Sequence, residues 1–277
     1  MSRRLPLFAE HYGLLPDTQF GGRPERTTEQ ALLMLANAID RALYRQKVVS
    51  LVAFDLKGAF KTSLDVRLQS KSIPSVARKS IASFMSGRQA SIGFEDYQTE
   101  VVPLDNVGLA EGSPLLPIPF AFLNCDMVDQ PVDFHNGAAA FIDDYFRWRV
   151  GWSAKENLAK VQSEDIPRIE ALARRTRSCF AAEKTELIHI TCKRKGQSQG
   201  QLIMKGNTIK AFTTTSLRGL IFDHELRCKE HVQQAVKRAT KVNNALGEFA
   251  ITTSRASATA LRSVRHTGCR LRIDRLA

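Results

Sequence analysis

Three carboxylates stand where the sequence predicts strand ends. Val48 to Phe54 is a continuous apolar run rich in valine, and it stops at Asp55. Asp143 and Asp144 lie between two short β-like runs, Ala138 to Ile142 and Tyr145 to Val150. An apolar run without alternation predicts a strand buried on both faces. Two short runs meeting at an acidic pair predict a hairpin that turns at that pair. If both elements share one sheet, the three carboxylates converge on one edge. Such a cluster repels itself unless cations neutralise it, and hard divalent cations with oxygen ligands meet that need. Two Mg2+ ions about 3.5–4 Å apart are the usual clamp for in-line phosphoryl transfer. The same residues also read as an aspartate capping a turn and a plain Asp-Asp turn, and spacing alone favours neither reading.

The elements that would position these residues are of mixed type. Gly21 to Arg26 is a breaker cluster, and Thr27 precedes Gln30 with capping-box spacing. The apolar recurrence that follows predicts a helix over 28–46. Helical patterns recur over 63–70, 75–86, 113–128 and 153–177. Runs at 90–94 and 99–104 predict a hairpin, and 187–191, 202–204 and 217–222 predict short strands. Two helices, over 229–248 and 256–265, close the chain. This order predicts an α+β domain, a small antiparallel sheet with helices on one face. The polar stretch Lys193 to Gln201 reads as a surface loop.

Composition narrows the function classes. The chain has 277 residues with 43% hydrophobic and 25% charged side chains, the balance of a globular protein with ample core. Forty Lys and Arg against 28 Asp and Glu leave a net charge of +12, which favours a polyanionic partner. No apolar run approaches the ~20 residues of a membrane helix, so no membrane partner is expected. The five scattered cysteines include no Cys-x-x-Cys pair and suit reduced thiols. An intracellular protein follows, with nucleus and cytoplasm equally compatible. His189 to Cys192 and Cys228 to His231 have superficially zinc-like spacing. Residues three apart on a strand point to opposite faces, however, and no zinc is expected.

Several segments carry a resemblance to a known family. Phe54-Asp-Leu-Lys-Gly-Ala-Phe60, Gly108-Leu-Ala-Glu-Gly-Ser-Pro-Leu-Leu-Pro117 and Phe141-Ile-Asp-Asp144 occur in that order. They resemble the three catalytic palm motifs of reverse transcriptases. Gln19-Phe-Gly-Gly-Arg-Pro-Glu-Arg-Thr-Thr28 resembles the segment before the first of these motifs in LINE-like (non-LTR) retrotransposons, particularly fungal ones. Phe180 to Ile188 resembles the family's next motif. Leu217 to Asp223 with Lys229 to Val232 resembles the primer-grip hairpin and the start of the thumb. The resemblance implies a polymerase palm over 48–224, truncated fingers over 1–47, and a helical thumb with a basic tail over 225–277.

It also implies roles. Asp55, Asp143 and Asp144 would hold two Mg2+ ions, helped by the carbonyl of Leu56. Phe60 would be the steric gate against a ribose 2′-OH. Gly112 would belong to the segment passing the template and incoming nucleotide, and Lys184 would protonate leaving pyrophosphate. Arg23 and Arg26 remain on the nucleotide side, where the family's upstream Arg-Pro-Ile motif is absent. The implied partners are an RNA template, a DNA primer and deoxynucleoside triphosphates.

The departures from the family are specific. Glu111 replaces a glutamine that donates to the nucleotide sugar, and at 4 Å and an effective ε near 20 like charges repel by about 4 kcal/mol. Pro119 falls at a helix-interior leucine, where proline costs about 3 kcal/mol. Arg218 replaces the primer-grip leucine before Gly219. No endonuclease domain precedes the palm motifs, and no RNase H domain or zinc knuckle follows. The expectation is therefore an RNA-directed DNA polymerase domain of a non-LTR retrotransposon, truncated to a fragment. The alternative is a catalytically impaired relic that only binds nucleic acid.

Overall fold

The structure is a computed structural model that describes residues 2–57, 61–94, 97–103, 113, 115, 117–142, 144–176, 179–192 and 200–252. Its helices are α1 Arg4–His11, α2 Thr28–Tyr44, α3 Lys61–Ser70, α4 Ser75–Phe84, α5 Pro117–Val128, α6 Ala154–Lys160, α7 Ile166–Thr176 and α8 Lys229–Thr252. Its strands are β1 Val48–Lys57, β2 Gln89–Ala90, β3 Gly93–Phe94, β4 Tyr97–Gln98, β5 Val102–Pro103, β6 Asn136–Phe141 and β7 Asp144–Gly151. They continue with β8 Cys179–Phe180, β9 Glu186–Ile190, β10 Gln201–Met204, β11 Asn207–Phe212, β12 Thr214–Leu217 and β13 Leu220–Asp223. The helix expected over 256–265 and the loop expected at 193–201, apart from its last two residues, lie outside the described residues. Among the described residues, no helix is long and apolar enough to cross a membrane.

The main sheet runs β10-β11-β9-β1-β7-β6, with β8 also pairing β1. All its pairings are antiparallel except β11 with β9. β1 sits inside, and its unbroken apolar run follows from burial on both faces. Val49 and Leu51 point into one core with Leu35 and Ile39 of α2 and Phe146 and Trp148 of β7. Val52 and Phe54 point into the other, with Leu64 of α3, Phe122 of α5 and Ile169 of α7. Helices thus cover both faces, which corrects the expectation of one. The reason is α2: its apolar stripe needs a partner, and the sheet's second apolar face supplies one.

Local signals account for the element starts. Thr27 caps α2 as the spacing predicts. Gln30 N donates to Thr27 Oγ1 at 3.2 Å, and Thr27 N donates to Gln30 Oε1 at 2.9 Å. α5 is buried nearly all round, as a helix apolar on every side must be. It begins at Pro117, so Pro119 occupies its third position. First-turn N–H groups have no intrahelical acceptor, so Pro119 removes no helical hydrogen bond. The cost expected for an interior proline does not arise here.

The helix expected over 153–177 is interrupted by a π turn at Val161–Asp165, between α6 and α7. The extra residue brings Asp165 onto the sheet. It pairs with Arg147 at 2.7 Å and Arg149 at 2.6 Å, two residues apart on one face of β7. Glycines make a second close approach possible. A Cβ on Gly21 would lie 2.2 Å from Ile142 N, and one on Gly22 would lie 2.8 Å from the Pro117 carbonyl carbon. The Gly21-Gly22 turn therefore seats against both the β6–β7 tip and the start of α5.

Candidate active site

The β1–β7 register fixes the site. Val48 pairs with Gly151 at one end, and Asp55 pairs with Asp144 at the other. Two carboxylates thus face each other directly across adjacent antiparallel strands. Like charges in that position destabilise a sheet unless something neutralises them. Each acid has a cation of its own. Lys184 Nζ lies 3.3 Å from Asp55 Oδ2, and the Arg218 guanidinium is ion-paired with Asp144.

Local structure explains both cations. Ala181 N donates to the Asp55 carbonyl at 3.0 Å, which suspends the 3-10 turn Ala182–Lys184 from the end of β1. Arg218 and Gly219 form the two-residue loop joining β12 to β13, with φ of 50° and 84°. Both φ values are positive, as the hairpin turns matching strand twist require. From that loop Arg218 donates to the Phe141 carbonyl and lies 4.8 Å above the centre of the Phe141 ring. The β12–β13 tip is thereby fastened to the β6–β7 tip, where Ile142 has a φ of 58°. A β-branched residue in that region is strained, and such strain gathers at functional sites.

An open pocket of about 440 Å³ holds Asp55, Asp144, Lys184 and Arg218 together with Glu183 and Glu186. Glu186 accepts hydrogen bonds from Thr215 Oγ1 and, at 3.4 Å, from Ser216 N, so it anchors β12 beside the acids. The donor set suits a hard divalent cation: two carboxylates, with oxygen ligands favoured over sulfur or nitrogen. Asp55 Oδ2 is buried and its charge is met by the Lys184 ammonium, the position a metal cation would take. Among the described residues no third acid, histidine or cysteine completes a metal-holding cluster.

The other expected site residues fall into two groups. Asp143, Phe60, Glu111 and Gly112 lie outside the described residues. Leu56 belongs to β1, paired with Phe180. Arg23 and Arg26 do not line the acidic pocket. Arg23 is buried and engaged, donating to both Glu10 oxygens at 2.5 and 2.8 Å and to the carbonyls of Pro16 and Gln19. Its hydrogen bonds hold the Glu10 carboxyl below the usual carboxylate range. Arg26 pairs with Asp17 at 2.8 Å. Sequence reasoning missed Arg218 and Glu186 as members of the site. Arg218-Gly219 is legible as a turn, but nothing local says what the arginine reaches.

No family model matches the chain, and no curated protein matches it. Solved structures do. Apo telomerase from Candida tropicalis, truncated from the C-terminal domain, superposes with a TM-score of 0.53 at 13% identity, over 80% of this chain and 43% of that one. Candida tropicalis telomerase in complex with a TWJ fragment of telomeric RNA gives 0.51 at 10% identity, over 82% and 37%. The chain spans less than half the length of either. At such identity the likeness speaks for the fold alone: these strands and helices are arranged as in the matched part of those two telomerase structures.

Proposed function

We propose that this chain is an RNA-directed DNA polymerase domain of the non-LTR retrotransposon type, with its palm over 48–224. The observation that carries the reading is the Asp55–Asp144 pair, opposed in register at the end of the central strand, in a reverse-transcriptase-like fold. Asp55 and Asp144, with Asp143 and the Leu56 carbonyl, would hold two Mg2+ ions. Those ions would supply Lewis-acid stabilisation of charge at the reacting phosphate. The substrates are an RNA template, a DNA primer and deoxynucleoside triphosphates. The primer 3′-hydroxyl gives up its proton to solvent as its oxygen bonds to the α-phosphorus, the bond to the bridging oxygen breaks, and pyrophosphate leaves. To Lys184 we assign the proton given to that leaving group. Its ammonium lies 3.3 Å from Asp55 Oδ2, next to where the chemistry would occur. Phe60 would exclude a ribose 2′-OH, and Gly112 would line the nucleotide's path.

Two observations favour a second reading, a chain that binds nucleic acid without extending it. Arg218 occupies Asp144, and Glu111 adds a charge where the family has a neutral donor. Addition of a complementary deoxynucleotide to a primer on an RNA template separates the two. The first reading expects extension with Mg2+ and none with chelator. Tight primer–template binding without extension would select the second.

A further inference from the structure

The opposite end of the same strands carries a different surface. Val48 and Asp55 lie seven positions apart on β1, about 23 Å at ~3.3 Å per residue. At the Val48 end, an open pocket of about 420 Å³ is lined by Arg41, Arg45, Lys47 and Phe134. Arg41 and Arg45 are four apart at the end of α2 and share a helix face. The Arg45 guanidinium lies 4.3 Å from the Phe134 ring centre, and the Lys47 ammonium lies 5.3 Å from that of Trp152. These rings are not core: Phe134 is 54% exposed and Trp152 63%, and Tyr44, on the same turn as the arginines, is 90% exposed.

The patch is both cationic and aromatic. Two acids border it, and both are engaged locally: Asp133 accepts from His135 N at 2.7 Å, Asn136 N at 2.8 Å and Asn136 Nδ2 at 3.0 Å, and Glu156 accepts from Trp152 N at 3.0 Å and pairs with Lys160 at 3.1 Å. Arg41 and Arg45 are left to face an anion, with Lys47 beside them in the field of Glu156. An acidic peptide would use them but leave three rings in water. A duplex would offer phosphates but keep its base faces stacked inside. A single strand satisfies both halves, with phosphates on the cations and bases on the rings. We infer that this end of the sheet is a second site, which binds single-stranded nucleic acid apart from the acidic pocket. The inference does not depend on the polymerase reading, because none of these residues lines that pocket.

The chain contains its own reporter. It has two tryptophans; Trp148 is fully buried, so Trp152 is the indole that a ligand can reach. The full chain is titrated with oligo-dT or oligo-U of about 12 nucleotides while indole fluorescence and oligonucleotide anisotropy are followed. Both signals should change together, and the affinity should fall steeply as salt rises. Arg41→Ser/Arg45→Ser, and separately Trp152→Ala, should weaken the anisotropy-detected affinity about five- to a hundredfold. All three side chains are exposed, so the circular-dichroism melt should not move. A blunt duplex should not displace the single strand. Binding seen by anisotropy with unchanged indole fluorescence would place the strand elsewhere and overturn the inference. So would wild-type affinity in both variants. Equal quenching by polyglutamate would instead make the patch a surface for acidic peptides.

Discussion

Asp55 and Asp144 are held together by strand register, and each is neutralised by a side chain from a later part of the chain. An acid at the end of an unbroken apolar run is conspicuous, and an Asp-Asp between two β-like runs is a natural turn. Both were legible for that reason. Arg218 was not, because its partner lies on another hairpin and only the tertiary fold joins them. Along the sequence it stands only as a turn residue before Gly219. In the structure it is the counter-ion of Asp144, and under the proposed function a metal would have to displace it. Arg218→Leu should therefore raise the affinity for Mn2+, used as a calorimetric probe of the site. A partly exposed ion pair contributes about 0.2–1 kcal/mol, so a gain of about 1.5- to fivefold is expected. Arg218→Lys should keep the weaker binding. Unchanged affinity in Arg218→Leu would show that the arginine does not compete.

At the scale of elements, the sequence was informative where a single stretch carries its own reason. β1 is such a case, since only burial on both faces explains its apolar run. The Thr27–Gln30 capping box of α2 is another. Legibility failed where packing decides, as in the π turn that delivers Asp165 to two arginines, and in the start of α5, which makes Pro119 harmless. A buried polar chain linking three elements was equally invisible. Asn157 Nδ2 of α6 donates to Ser50 Oγ of β1 at 3.0 Å, and Ser50 Oγ lies 2.8 Å from His189 Nδ1 of β9. Asn157 also donates to the Val48 carbonyl at 2.9 Å. The Ser50 hydroxyl accepts from the Asn157 amide and shares a hydrogen bond with Nδ1 whose donor depends on the imidazole tautomer. Burial lowers the His189 pKa from 6.5 to about 4. The unfolded chain then binds more protons between those values. Stability is fully present above pH 6.5 and is lost as pH falls toward 4, by about 3 kcal/mol in all. Urea unfolding at pH 7 and pH 5 should show this loss in the unmodified chain. In His189→Asn the drop between the two pH values should be smaller by about 2 kcal/mol. An equal drop in both proteins would mean that His189 is not the group titrating.

At the scale of the molecule, a +12 chain folds like part of a telomerase and carries different chemistry at the two ends of one sheet. The alternation of strands and helices was readable as a mixed fold. The second layer, the parallel β11–β9 pairing and the fastening of one hairpin tip to another were not, because they depend on contacts distant in sequence. Under the proposed function, Asp55 and Asp144 would act as one metal-dependent centre for extending a primer. The most direct measurement is the rate of single-nucleotide extension on an RNA template with Mg2+, for the unmodified chain, Asp55→Asn, Asp144→Asn and the double change. Groups that act as a unit are strongly non-additive. The account predicts extension by the unmodified chain and single changes that each lower the rate about as far as both together. No extension by the unmodified chain, or losses that simply multiply in the double variant, would contradict it.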